Sequence, residues 1–310
     1  MSRTRRSSRV DSGGNGSEAA PARDRWSRWV LATRHPDDPE ERRRSLEFLE
    51  PIRDRVLDNG DVRAGETLLD VGAGDGLIAF AALDRVGANG RVVFADISQD
   101  LLDHCRSLAD ELGILDRCEF VRASADKLPL ADASVDVVTT RSVLIFLDRA
   151  GKERALREFH RVLRPGGRVS VAEPINRFAY PEPPGCFLGY DLRAIADLAQ
   201  KVRDAISPAE EQTLIDFDER DLLAWAEAAG FDPIRLDYEA KIEPGSWMQG
   251  SWERVLEISG NPLAPPLGEA IARALTPEEA ARFEAHLRPL VEANAGRRRM
   301  AFAFLHGVKP

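Results

Sequence analysis

LLDVGAGDG, residues 68–76, joins a short apolar run to three glycines at alternate positions. Thr67 to Val71 is too short for a helix and reads as a buried strand, turning through Gly72, Gly74 and Gly76 into a helix. At such a turn the backbone is bare, and the first helical amides have no partner within the helix, so the polar end of a ligand can come close. Nucleotide-binding folds of several kinds use this device, so the rest of the chain must select among them.

Downstream the pattern is regular. Strands are expected at 67–71, 91–96, 118–122, 134–140 and 167–174, with helices at 76–86, 98–112 and 149–163 between them. This alternation predicts an α/β sheet covered by helices on both faces, with the ligand at the carboxyl ends of the strands. The polar residues at those ends are therefore site candidates. Asp70 closes the first strand, and Asp96 closes the second, where a carboxylate can accept from a ribose diol. Asp126 follows the third and could accept from an adenine amino group; for both Asp96 and Asp126 the alternative is a turn or helix cap. Arg141 ends the fourth strand and Glu173 the fifth. There the guanidinium could hold an acceptor carboxylate or phenolate and the carboxylate could accept a proton or orient an amine, and an ion pair stabilising the site is the alternative for each.

The succession LLDVGAGDG, VVFADIS, ASADKLPLADASVDVVTTRSVLIFL and REFHRVLRPGGRVSVAEP resembles the class I S-adenosylmethionine-dependent methyltransferases, especially the small-molecule group that includes quinone-biosynthesis-like enzymes. The resemblance covers about residues 45–175. It implies a Rossmann-like seven-stranded sheet with the last strand antiparallel, for which FDPIRLDYEA and RRRMAFAFLHGVKP supply the final two strands. It also implies S-adenosylmethionine as cofactor. Gly72, Gly74 and Gly76 would surround its methionine portion and ribose, Asp96 would bind the ribose hydroxyls and Ile97 the adenine. Asp70 would orient the ammonium-bearing end, Ala125 and Asp126 match the adenine loop, and Thr140 and Arg141 line the space between cofactor and acceptor. The alternative on this fold, a nicotinamide oxidoreductase, normally carries GxGxxG, whereas here Leu77 follows a GxGxG turn.

Residues 1–22, rich in Arg, Ser and Gly, predict a disordered tail; no hydrophobic segment follows Arg5 and Arg6 to make an export signal. Residues 23–60 predict an N-terminal helical lid. Trp26 and Trp29 share a face and read as core rather than cofactor contacts, Asp38 and Pro39 start a second helix, and Pro51 lies within that helix. His35, near the lid, is the best-placed histidine for acid/base work. Residues 61–310 form the methyltransferase domain, with insertions at 177–217 and 240–298 that could roof a pocket. Tyr180, Tyr190 and Trp247 are expected to give that pocket an aromatic wall, while Phe187 and Trp252 pack the cap.

A formal charge of −9 argues against a protein devoted to holding a polyanion, and the fourth strand ends in TTRS rather than in the signature of amino-directed nucleic-acid methyltransferases. Five histidines show no HxH or HExxH spacing, so no metal is expected. Three cysteines without a disulfide pattern, and no apolar span long enough for a membrane helix, suit a cytoplasmic protein. The expected function is direct methyl transfer to O, N or an activated C of a small, partly apolar metabolite. Nucleic-acid or protein methylation is the alternative, and a homodimer is compatible with the exposed helices.

Overall fold

The computed structural model describes residues 23–34, 36, 38–206 and 212–310; the tail expected at 1–22 and His35 lie outside the described residues. The chain runs α1 (Arg25–Arg34), α2 (Pro39–Asn59), β1 (Thr67–Val71), α3 (Leu77–Val86), β2 (Arg91–Asp96), α4 (Gln99–Glu111), β3 (Cys118–Arg122), β4 (Val135–Arg141), α5 (Arg149–Val162) and β5 (Leu163–Pro174). It continues through β6 (Cys186–Phe187), β7 (Tyr190–Asp191), α6 (Ala196–Ile206), α7 (Glu219–Ala229), β8 (Ile234–Pro244), α8 (Trp252–Glu257), α9 (Leu267–Ala274), α10 (Pro277–Glu292) and β9 (Arg297–Val308).

Seven strands form one sheet in the order β3-β2-β1-β4-β5-β9-β8. β1 to β5 pair in parallel, and β9 lies antiparallel between β5 and β8. This is the expected arrangement, with the final strand the reversed one. Alternate residues serve opposite faces. Leu68, Val92, Phe94 and Val137 pack with α2, α3 and α4, whereas Leu69, Val93, Val138 and Val169 pack with α5 and α7. Side chains buried on both faces explain why these strands read as continuous apolar runs.

Local chemistry sets the helix starts. The Asp38 carboxylate accepts from the amides of Glu40 and Glu41, Pro39 occupies the first turn, and α2 then continues through Pro51 without a break. Thr276 and Glu279 form a reciprocal capping box at α10. β5 begins at Leu163, four residues before the expected start, and β8 extends to Pro244.

The two late insertions close on each other. Phe187, Tyr190, Leu198, Met248, Trp252 and Phe283 belong to one apolar cluster, separate from the two that flank the sheet. The cap is thus a single small helical unit assembled from both insertions. It is tied to the N-terminal helices by the Trp29 indole, which donates to the Ser259 carbonyl at 3.0 Å, and by Arg254 to Glu41 at 3.0 Å.

Candidate active site

A cavity of about 990 Å³ opens at the carboxyl ends of the parallel strands, between the sheet, α1 and the cap. Its floor is the glycine turn. Gly72 and Gly74 both have positive φ. A Cβ on Gly72 would stand 2.1 Å from a Val143 methyl, so that glycine is required by the fold itself. A Cβ on Gly74 would meet nothing nearer than 3.9 Å, so Gly74 keeps open a space that belongs to the cavity. Gly76 lies behind the cavity, where the Phe80 ring occupies the place of a side chain.

Two carboxylates line the inner end. Asp70 is buried and accepts from the Thr139 hydroxyl at 2.9 Å; burial raises its pKa to about 7 against the opposing pull of that bond and of nearby Arg141. Asp96 accepts from the amides of Gly74 and Ser98, each at 2.9 Å, and burial raises it as well. Asp96 therefore shapes the glycine turn while facing the cavity. Ile97, 43% exposed, and Ala125 lie beside it in the lining.

The structure gathers Asp70, Gly72, Gly74, Asp96, Ile97, Ala125, Arg141, Tyr180 and Trp247 around this one cavity. Others it places elsewhere. The Thr140 hydroxyl donates to the Val71 carbonyl at 2.8 Å and is buried between strands. Asp126 turns outward, accepting from the Ser124 hydroxyl at 2.6 Å and pairing with Arg154 at 2.9 Å; these bonds hold its pKa below the usual range. Tyr190 is inside the cap core, with its hydroxyl donating to the Met248 carbonyl at 2.5 Å.

Glu173 is fully buried under the floor. Its carboxylate accepts from the amides of Val143 at 2.8 Å, Leu144 at 2.9 Å and Ile145 at 3.3 Å, and burial pushes its pKa to about 7 despite these bonds. It holds the 3-10 turn after β4 in place rather than bordering the cavity. Arg141 does border it, with a guanidinium nitrogen 3.4 Å from the Ser142 hydroxyl and its charge favouring the ionised forms of both Asp70 and Glu173.

Trp26 and Trp29, read as core residues, both line the cavity. Helical periodicity showed their shared face but not what it faces. The side chain of Trp26 meets Phe146 edge to face at 4.9 Å. The α1 helix is docked where Ser98 donates to Asp24 at 2.6 Å and the Asp24 amide donates to Asp100 at 2.5 Å.

The carboxylate pair, bare glycine turn and exposed apolar wall fit S-adenosylmethionine: Asp70 suits the ammonium, Asp96 the ribose diol and Ile97 the face of the adenine. A doubly covered sheet with a reversed sixth strand and this crevice defines a nucleoside-cofactor α/β enzyme.

Comparison with known proteins narrows the class. Residues 68–167 match the model described as a methyltransferase domain. The ubiquinone/menaquinone biosynthesis C-methyltransferase UbiE of Klebsiella pneumoniae is 33% identical over 185 residues, which is 58% of this chain and 71% of that protein. UbiE of Hahella chejuensis is 38% identical over 143 residues, 46% of this chain and 55% of that one. A crystal structure of geranyl diphosphate C-methyltransferase from Streptomyces coelicolor shares the fold, with a TM-score of 0.50, 16% identity and coverage of 88% of this chain and 83% of that one. The chain belongs to the class I S-adenosylmethionine-dependent methyltransferases, related to the quinone-biosynthesis enzymes. It is a methyltransferase enzyme with S-adenosylmethionine as its cofactor. The nicotinamide alternative is thereby set aside. Its cavity is at the upper end of the range for small-molecule sites, about 300–1,000 Å³, and is lined for a partly apolar acceptor. Among the described residues no helix is long and apolar enough to cross a membrane.

Proposed function

We propose that the protein transfers a methyl group to an activated carbon or an oxygen of a small, largely apolar metabolite of quinol or isoprenoid type. The observation that carries this reading is one continuous cavity with cofactor-suited polar groups at its inner end and Trp26, Phe48, Phe146, Tyr180, Trp247 and Phe302 along the remainder. The C-methyltransferase activities in the names of the UbiE relatives support the acceptor class.

When bound, S-adenosylmethionine supplies an already activated sulfonium methyl, so this chain's task is alignment and exclusion of water. Asp70 and Asp96 hold the polar ends, and the aromatic wall orients the acceptor. Arg141 faces negative charge on the acceptor oxygen, and Tyr180, whose pKa burial pushes up to about 12, stays protonated as a hydrogen-bond donor. Glu173 acts through the turn it anchors. The apolar lining favours a small molecule over a polynucleotide, and the three free cysteines suit a reducing cytoplasm. We place residues 23–60 as a cover over the cofactor and the two insertions as the acceptor roof.

Incubation with methyl-labelled S-adenosylmethionine and separate pools of quinols, prenyl compounds, RNA and protein tests this. Label should enter a small apolar pool; label confined to RNA or protein would overturn the reading.

A further inference from the structure

β8 and β9 outrun the sheet. β5 stops pairing at Pro174, opposite Phe302, whereas β8 and β9 continue together to Pro244 opposite Arg297. The overhanging ribbon carries Arg299 and Met300 into the outer wall of the cavity. Arg299 is three residues beyond Phe302, about 10 Å along an extended strand.

Among the described residues three arginines line the cavity, and their situations differ. Arg203 is committed: it pairs with Glu182 at 2.7 Å, donates to the Cys186 carbonyl at 2.5 Å and lies over Phe187. Arg141 sits in the field of Asp70 and Glu173. Arg299 stacks over the Phe178 ring at 5.2 Å, but among the described residues no carboxylate pairs with it. Its Nε–H is buried with no hydrogen-bond partner. A guanidinium has five donors in a fixed fork, so a half-buried one in an apolar wall, with no carboxylate beside it, offers its remaining donors to an anion. The Phe178 ring face attracts the charge without using its donors.

Building on the acceptor reading above, we propose that Arg299 is the specificity-determining clamp for an acceptor carboxylate. The acceptor is then an apolar body with one carboxylate at its outer end, remote from the methyl-receiving atom. With Nε enclosed, the end of the fork formed by the two Nη atoms is the edge that matches the two oxygens of a carboxylate. One unmatched cation suits a single negative charge, and Glu182 and Asp204 in the same wall disfavour a polyanion such as a diphosphate.

The test uses the full chain loaded with S-adenosylhomocysteine and three probes of equal chain length: decanoate, decanol and decyl phosphate, with affinities measured by calorimetry. Decanoate should bind at least about ten-fold more tightly than decanol. Arg299→Gln should remove that advantage, leaving decanol and S-adenosylhomocysteine affinities and the melting temperature unchanged, and Arg299→Lys should keep part of it. The wild-type comparison stands even if a variant does not fold. Equal binding of decanoate and decanol would overturn the clamp while leaving the apolar cavity standing. Binding of neither would overturn both, and decyl phosphate binding more tightly than decanoate would overturn the assignment to a carboxylate.

Discussion

Asp70 and Glu173 are buried carboxyls with similar pKa values and different tasks. Asp70 faces the cavity; in the unfolded chain its carboxyl ionises near about 3.9, but in the fold it keeps its proton to about 7. The folded state therefore binds the extra proton between those values, and this group's contribution to stability falls as pH rises through that window. Cofactor affinity has the opposite sign, because the ammonium attracts only the ionised carboxylate. We expect S-adenosylhomocysteine affinity, measured by calorimetry, to rise between about pH 5.5 and 7 and the rise to vanish in Asp70→Asn; a flat wild-type profile would remove Asp70 from that role. Glu173 instead satisfies three amides of one turn. Glu173→Ala should lower the unfolding free energy by about 3 kcal/mol or more, since each buried amide left unpaired costs about 1–3 kcal/mol. Denaturant unfolding checks this. A variant with unchanged stability but an altered pH–rate profile would instead make Glu173 a proton acceptor in the reaction.

At the scale of elements, α1 has little core of its own and is held by polar contacts at both ends of its inner face. Ser98 and Asp100, at the start of α4, grip Asp24 and Ser27; Trp29 reaches across to Ser259 of the cap. The helix thus joins the start of α4, next to Asp96, to the cap. Trp29→Phe keeps the aromatic body and removes the indole donor, at a cost of about 1 kcal/mol to docking. Amide exchange should then quicken along α1 and stay unchanged in β1 to β5; uniform exchange would show that α1 is held by other contacts.

Across the whole molecule, two apolar clusters sandwich the sheet and a third fills the cap. Asp70 and Asp96 stand at the ends of sheet strands, whereas Phe187, Trp247 and Met248 of the cavity lining belong to the cap, so damage to the cap core should reach one part of the lining before the other. Phe283 is fully buried in the cap, edge to face with Phe187 at 5.6 Å. Phe283→Ala should cost about 3–5 kcal/mol, felt first in the cap. Turnover should fall far more than S-adenosylhomocysteine affinity; equal losses would mean that cap and sheet unfold as one unit.

Strand alternation, the glycine turn and the acids at the ends of β1 and β2 were legible in the sequence because each depends on neighbours within a few residues. Periodicity marks a buried strand, and an acid after a strand marks its carboxyl end. Cap chemistry was equally local: Asp38 starts its helix as expected. The direction in which a side chain points beyond its own element was not legible. Asp126 turns to Arg154 and Tyr190 into the cap core, while Trp26 turns toward the cavity, because partners distant in sequence occupy or leave open the space beside them. Arg299 had no local signal at all: RRRM reads only as the start of the final strand. The sequence by itself determined the alternation of strands and helices, the glycine turn and the acids at the strand ends, since these follow from local pattern repeated along the chain. Only the tertiary structure decided that two insertions pack into one cap, that Glu173 braces the turn after β4 and that Arg299 lines the cavity with no carboxylate partner among the described residues, because each depends on which side chains distant in sequence meet.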